Sequence, residues 1–115
     1  MTDLVSVVET PLYLARAEHL MSAEERTLIV DAVAADPAAG LVIRGTGGLR
    51  KIRIPLAGRG KRGGGRVIYW FHSAGWPAVL LWVFAKNEAD DLTFAQRRAL
   101  ADEARGLLND FGRPR

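Results

Sequence analysis

One short region of this chain concentrates a single kind of chemistry, fixed positive charge. Residues 47–71, GGLRKIRIPLAGRGKRGGGRVIYWF, carry seven Lys or Arg side chains and no acid. Lys51 and Arg53 alternate with Ile52 and Ile54, so an extended backbone sets two cations on one face and two isoleucines on the other. Arg66 follows a glycine-rich run and shares a strand face with Ile68, Trp70 and His72, opposite Val67, Tyr69 and Phe71. Between the two strands lie Arg59, Lys61 and Arg62, in a connection rich in glycine and without acids. Cations spaced this way suit an anionic polymer, and a cationic loop can close over a phosphate chain.

The charge layout of the whole chain sharpens this. Residues 1–36 hold seven acids and two bases, a net of −5; residues 37–87 hold nine bases and no acid; residues 88–115 hold six acids and five bases, a net of −1. A net charge of only +3 therefore conceals a strongly basic middle. Two readings are open, a solvated basic surface and a polyanion site, and the length of the acid-free span favours the second.

The remaining composition bounds the class. At 115 residues, 49% hydrophobic and 25% charged, the chain suits one globular domain over residues 1–115. No apolar run reaches the roughly 20 residues that cross a bilayer, and the N-terminus lacks a leader pattern, so a cytoplasmic protein is expected. The absence of cysteine rules out disulfides, a thiolate nucleophile and the usual structural zinc site.

The elements that must position the cations follow from local signals. Leu4–Val8 reads as a short strand, stopped by Thr10-Pro11, an N-cap with proline at the first helical position. A helix runs from Pro11 to about Leu20, and Ser22-Ala23-Glu24-Glu25 is a capping box for a second, with Leu28, Ile29, Ala32 and Val33 at helical spacing and Pro37 with Gly40 at its end. Three strands are expected at Leu49–Ile54, Arg66–His72 and Ala78–Lys86, forming a meander. Val79–Ala85 is apolar on both faces, as befits a central strand. Thr93-Phe94-Ala95-Gln96 caps a last helix with Leu100, Ala104, Leu107, Leu108 and Phe111 on its apolar stripe. The class is α+β, in the order β-α-α-β-β-β-α, with a mainly antiparallel sheet packed by helices.

Several motifs fail on context. Gly58-Arg59-Gly60-Lys61-Arg62-Gly63 matches G-x-G-x-x-G, but a strand follows it and the next acid is Glu88. A P-loop would need glycine at Pro55 and Ser or Thr at Arg62. The two histidines, His19 and His72, fall on separate elements, so no metal ligand set is expected. There is no Gly-x-Ser-x-Gly elbow. Gly45-Thr46-Gly47-Gly48 reads as a turn joining the helical half to the sheet. Tryptophans on strands belong mostly to cores, and only Trp76 falls in an expected turn, where a base could stack on it.

The wording GTGGLRKIR, then GKRGGGRVIYWF, then KNEADDLT opening a last helix resembles the RelE/ParE superfamily of bacterial type II toxins, in its HigB-like branch. The resemblance covers about residues 40–100 in wording and the remainder in pattern. It implies a RelE-like domain and a metal-independent endoribonuclease that cuts mRNA, usually on the ribosome, with no cofactor. It also implies a cognate antitoxin, often with a helix-turn-helix domain, through which alone operator DNA would be reached.

Metal-free RNA cleavage needs the ribose 2′-OH deprotonated, the phosphorane charge stabilised and the 5′-oxygen protonated. Lysines crowded by like charge or desolvated can act as bases, and guanidinium groups stabilise the phosphorane. By the resemblance, Arg66 binds phosphate and stabilises the transition state, Lys51 and Arg53 match the basic pair on the preceding strand with Lys51 the candidate base, and Lys86 matches a lysine ending the last strand. Relatives often carry an arginine next, where this chain has Asn87, and a later tyrosine has no counterpart near Thr93, which leaves the acid and base open. Arg50, Arg59, Lys61, Arg62, Asn87 and His72 complete the expected RNA contacts. His72 reads either as a proton carrier or, being without a histidine partner, as a structural histidine. Two other functions remain, a ParE-like gyrase inhibitor without nuclease activity and a plain RNA-binding module.

Overall fold

The computed structural model describes residues 4–56, 64–73, 75–86 and 91–111. The elements in chain order are β1 (Val7–Glu9), α1 (Pro11–Leu20), α2 (Ala23–Ala35), β2 (Leu41–Val42), β3 (Leu49–Ile54), β4 (Gly65–Trp70), β5 (Ala78–Ala85) and α3 (Phe94–Phe111). Each helix starts where the sequence supplies a cap. Thr10 Oγ1 accepts from the Tyr13 N–H at 3.1 Å and donates to the Leu80 carbonyl at 2.8 Å, so one hydroxyl both opens α1 and ties it to β5. Ser22 and Glu25 close a reciprocal capping box on α2, and Thr93 and Gln96 do the same for α3.

The five strands form one sheet in the order β1-β5-β4-β3-β2, with β1 parallel to β5 and every other pair antiparallel. On one face α1 and α2 cover Ile54, Val67, Tyr69, Leu80 and Val83 with Tyr13, Ala17, Leu20, Ile29 and Val33. On the other, Leu100, Ala101 and Ala104 of α3 cover Leu49, Ile68, Trp70, Leu81 and Phe84. This double burial is why Val79–Ala85 reads apolar on both faces. A register shift between Ile68 and Tyr69 is the one irregularity in the β4–β5 ladder. Beyond the end of β1, Arg16 reaches over the edge of β5, donating from Nε to the Val83 carbonyl at 3.1 Å with its guanidinium 5.0 Å from the Trp82 ring centroid.

Several details differ from the sequence expectation, among them the first strand, read at Leu4–Val8 and found at Val7–Glu9, and the later strands, which end at Trp70 and Ala85. The short edge strand β2 was not expected. The glycine-rich turn Gly45–Gly48 therefore joins β2 to β3 within the sheet, with the Thr46 hydroxyl donating to the Ile43 carbonyl and accepting from the Leu49 N–H. Leu28, placed on the apolar stripe of α2, is exposed, while Ile29 and Val33 carry the packing. β2 is short enough to need outside support, which comes from the segment before it. The Tyr69 hydroxyl donates to the Pro37 carbonyl and accepts from the Gly40 N–H, both at 2.8 Å. Gly40 is obligatory there, because a Cβ would lie 2.6 Å from that hydroxyl oxygen.

Two buried tyrosines give opposite expectations. Burial raises both hydroxyl pKa values. For Tyr13, burial and then the nearby Glu9 charge push it to about 12, and the hydroxyl has no hydrogen-bond partner among the described residues. Tyr69→Phe strands a buried N–H and a part-buried carbonyl, and should cost about 1–3 kcal/mol in urea unfolding. Tyr13→Phe removes an unsatisfied group, and in the same measurement should leave stability unchanged or raise it.

Candidate nucleic-acid interface

The register of the sheet decides which cations meet. In the β3–β4 ladder Arg53 lies opposite Arg66 and Lys51 opposite Ile68, and in the β4–β5 ladder Arg66 lies opposite Phe84. Ile68 and Phe84 belong to the cluster under α3, so Lys51, Arg53 and Arg66 share the α3 face. Facing residues of an antiparallel pair sit about 4.5–5.5 Å apart at Cα, which brings two guanidinium groups within reach of one phosphate. Lys86 continues the same end of the sheet, its N–H donating to the Gly64 carbonyl at 2.9 Å. Gly64 makes that end possible: at φ +49° a Cβ would collide with the Ile54 carbonyl oxygen, so only glycine lets β4 start hard against the end of β3.

The side-chain partners differ among these cations. Arg66 donates from Nη1 to the Gly65 carbonyl at 3.0 Å, which fixes its guanidinium close to the strand. Arg53 is exposed and makes no ion pair among the described residues. Lys51 is held: its Nζ lies 3.0 Å from Asp91 Oδ2, and Arg97 Nη2 approaches the same oxygen at 3.6 Å. The Leu92 N–H donates to the other oxygen, Oδ1, at 2.8 Å. Burial raises the Asp91 carboxyl pKa, but the Lys51 hydrogen bond, the Leu92 amide and the charges of Lys51 and Arg97 together outweigh it and hold it below its ordinary value. Lys51 Nζ is therefore already engaged by Asp91.

Other expected residues are dispersed. Arg50 faces the α1/α2 side, where it donates to the carbonyls of Phe71, Ala38 and Gly40 and so braces the start of β2. That is a structural post on the face opposite Arg66. His72 is on the Arg66 face, but about 20 Å of extended chain separates the two; its ring stacks on Trp70 with centroids 6.2 Å apart, and Nδ1 pairs with the Ser73 hydroxyl. Arg59, Lys61, Arg62 and Asn87 lie outside the described residues. Among the described residues no group of three or more His, Asp or Glu side chains stands together as a metal site. Asp91 and Arg97 were missed from sequence. The Asp91 bond to Lys51 spans 40 positions, and no local pattern announces it or the Arg97 contact to the same carboxylate.

No protein-family model matches the chain. A solved structure does resemble it: that of E. coli toxin RelE, a double arginine-to-alanine mutant in the free state, aligns with 88% of this chain and 97% of that one at a TM-score of 0.55 and 13% identity. The fold is RelE-like. At that identity the likeness speaks for the sheet and its helices, and the cations on the RelE-like sheet are read from this chain alone.

The ion pair yields a pH expectation. Asp91 binds its proton less tightly folded than unfolded, so the folded state gains stability as pH rises through this range. The gain is complete above the unfolded value near 3.8 and is lost as pH falls through the lower folded value. Urea midpoints of the native chain and Asp91→Asn should accordingly differ most above about pH 4 and converge at the acid end.

Proposed function

We propose that this chain is the toxin of a bacterial type II toxin-antitoxin pair, of the HigB-like branch of RelE toxins, and that it inhibits translation by cutting mRNA on the ribosome in the cytoplasm. The observation that carries the proposal is the cross-strand pair Arg53 and Arg66 beside Lys51, on the α3 face at one end of a RelE-like sheet. Like charges placed directly opposite in a ladder destabilise it, and a bound phosphate between them reverses the sign. The site is thus arranged for an anion.

In the reaction, the ribose 2′-oxygen attacks the adjacent phosphorus, its proton passes to a base, and the bond to the 5′-oxygen breaks as that oxygen takes a proton. The products are a 2′,3′-cyclic phosphate and a 5′-hydroxyl. Arg66, steadied by the Gly65 carbonyl, and Arg53 across from it carry the charge that builds on the phosphorane oxygens. Lys51 donates to the phosphodiester once that group has displaced Asp91, and it is the candidate base for the 2′-hydroxyl. Lys86, whose backbone N–H bonds to Gly64 at the same end of the sheet, is the candidate donor of the leaving oxygen's proton. Arg59, Lys61, Arg62 and Asn87 extend the contact to neighbouring nucleotides. The antitoxin, with its own helix-turn-helix domain, neutralises the basic face and takes the pair to operator DNA.

The test is primer extension on an mRNA translated in a purified bacterial system, with Arg66→Ala alongside the native chain. The expected result is cuts at translated positions that fall about 10²–10³-fold in the variant, the loss typical of removing one oxyanion donor. RNA binding without cuts by either protein would leave a plain RNA-binding module. Neither binding nor cuts, with gyrase inhibited, would make it ParE-like.

A further inference from the structure

A second basic feature lies away from the Arg53–Arg66 pair. An open groove of about 370 Å³ runs between the β2–β3 turn and α3, lined by Arg44, Gly45 and Thr46 on one side and Phe94, Arg97, Arg98, Ala101, Asp102 and Arg105 on the other. Its helix residues fall at i, i+3, i+4, i+7, i+8 and i+11 from Phe94, one continuous face. Four arginines meet one acid in the lining, Asp102, which pairs with Arg105 at 2.8 Å. Arg44 and Arg98 are exposed and make no ion pair among the described residues. The buried Arg97 Nε has no hydrogen-bond partner among them either.

We infer that this groove holds a phosphodiester segment of the same RNA strand, flanking the one at Arg53 and Arg66; the inference rests on the function proposed above. Two observations select the ligand. First, the groove is joined to the centre by a built-in anion: the Asp91 carboxylate bridges Lys51 of the centre and Arg97 of the groove at 3.0 and 3.6 Å, occupying the place where a phosphate would bridge the same two cations. A strand that enters the centre displaces Asp91 and continues along Arg97. Second, the groove is wrong for an amphipathic acidic peptide. Apart from Ala101, its only apolar side chain among the described residues is Phe94, which is 74% exposed and has the Arg98 guanidinium 6.0 Å from its ring centroid. A flat aromatic beside a cation is a stacking place for a base.

The experiment uses fluorescence anisotropy with uncleavable 2′-O-methyl RNA, a twelve-nucleotide strand and a trinucleotide, titrated over a salt series. The proteins are the native chain and the double variant Arg44→Ala with Arg98→Ala, both checked by thermal melting. Losing two phosphate contacts should weaken the long strand about tenfold or more and flatten its log affinity against log salt by about 1.4, at about 0.7 per cation for single strands. The trinucleotide, which fits the centre alone, should bind both proteins equally. An unchanged long strand, or an equal loss for both lengths, would overturn the inference. So would a variant that keeps RNA but loses a labelled poly-glutamate peptide, since the groove would then be a protein dock. Arg66→Ala separates the two ideas: if the chain proves not to be a nuclease, its RNA affinity still reports on Arg44 and Arg98. Asp91→Asn supplies a second reading, in which removing the bridging anion should tighten the long strand severalfold, and a weaker or unchanged affinity would count against the inference.

Discussion

Burial of β4 and β5 on both faces is the constraint on which the rest of this structure depends. With α1 and α2 on one side and α3 on the other, Val67, Ile68, Tyr69, Leu80, Leu81 and Val83 are fully enclosed. No charge can stand on those strands except where a cover ends. Arg66 sits at the start of β4, opposite Arg53 on the neighbouring strand, and Lys86 follows the end of β5. Hydrophobic packing thus performs the sorting of charge: it leaves one end of the α3 face as the place where guanidinium groups can gather without desolvation. The same enclosure makes the backbone under the cations rigid, which an electrostatic site requires of its scaffold.

Within that end, the acids are placed as sparingly as the cations are placed densely. Asp91 is a carboxylate drawn from the start of α3 onto a lysine of β3, so one residue docks a helix and neutralises a site cation together. A partly exposed pair of this kind adds little to stability. Its interest lies in exchange. A phosphate oxygen can take the place that Asp91 Oδ2 holds between Lys51 and Arg97, and swapping one anion for another avoids the larger cost of baring two cations to a low-dielectric surface.

Much of this arrangement was legible in the sequence, and the part that was not had a common cause. Leu49–Ile54 was read to the residue, because alternation of Ile52 and Ile54 with Lys51 and Arg53 is a strong period-two signal. Caps at Thr10, Ser22 and Thr93 fixed all three helix starts, since capping is local chemistry. By contrast β2 is two residues long with Leu41 and Val42 at 71% and 60% exposure, and its existence depends on Tyr69 and Arg50, which lie far along the chain. Arg50 was grouped with Lys51 by charge, although the alternation that separated Lys51 from Ile52 also puts Arg50 on the opposite face. His72 shared the right face but at the wrong end, a distance that face parity does not measure.

The deepest gap between sequence and site concerns proton transfer. Charge-stabilising residues announce themselves, because cations must be numerous to work on a phosphate chain. A base is one residue whose role depends on its immediate partner, and Lys51 illustrates this: Arg53 and Arg66 surround it with like charge, while Asp91 offers it an opposite one. The structure shows the second influence at 3.0 Å, as the shortest link Lys51 makes among the described residues. In the proposed reaction, a phosphodiester between Arg53 and Arg66 would compete with Asp91 for Lys51. Rate enhancement in such a centre would come first from the paired arginines, which are preorganised by the register, and only second from the lysine, whose state is set by the substrate itself.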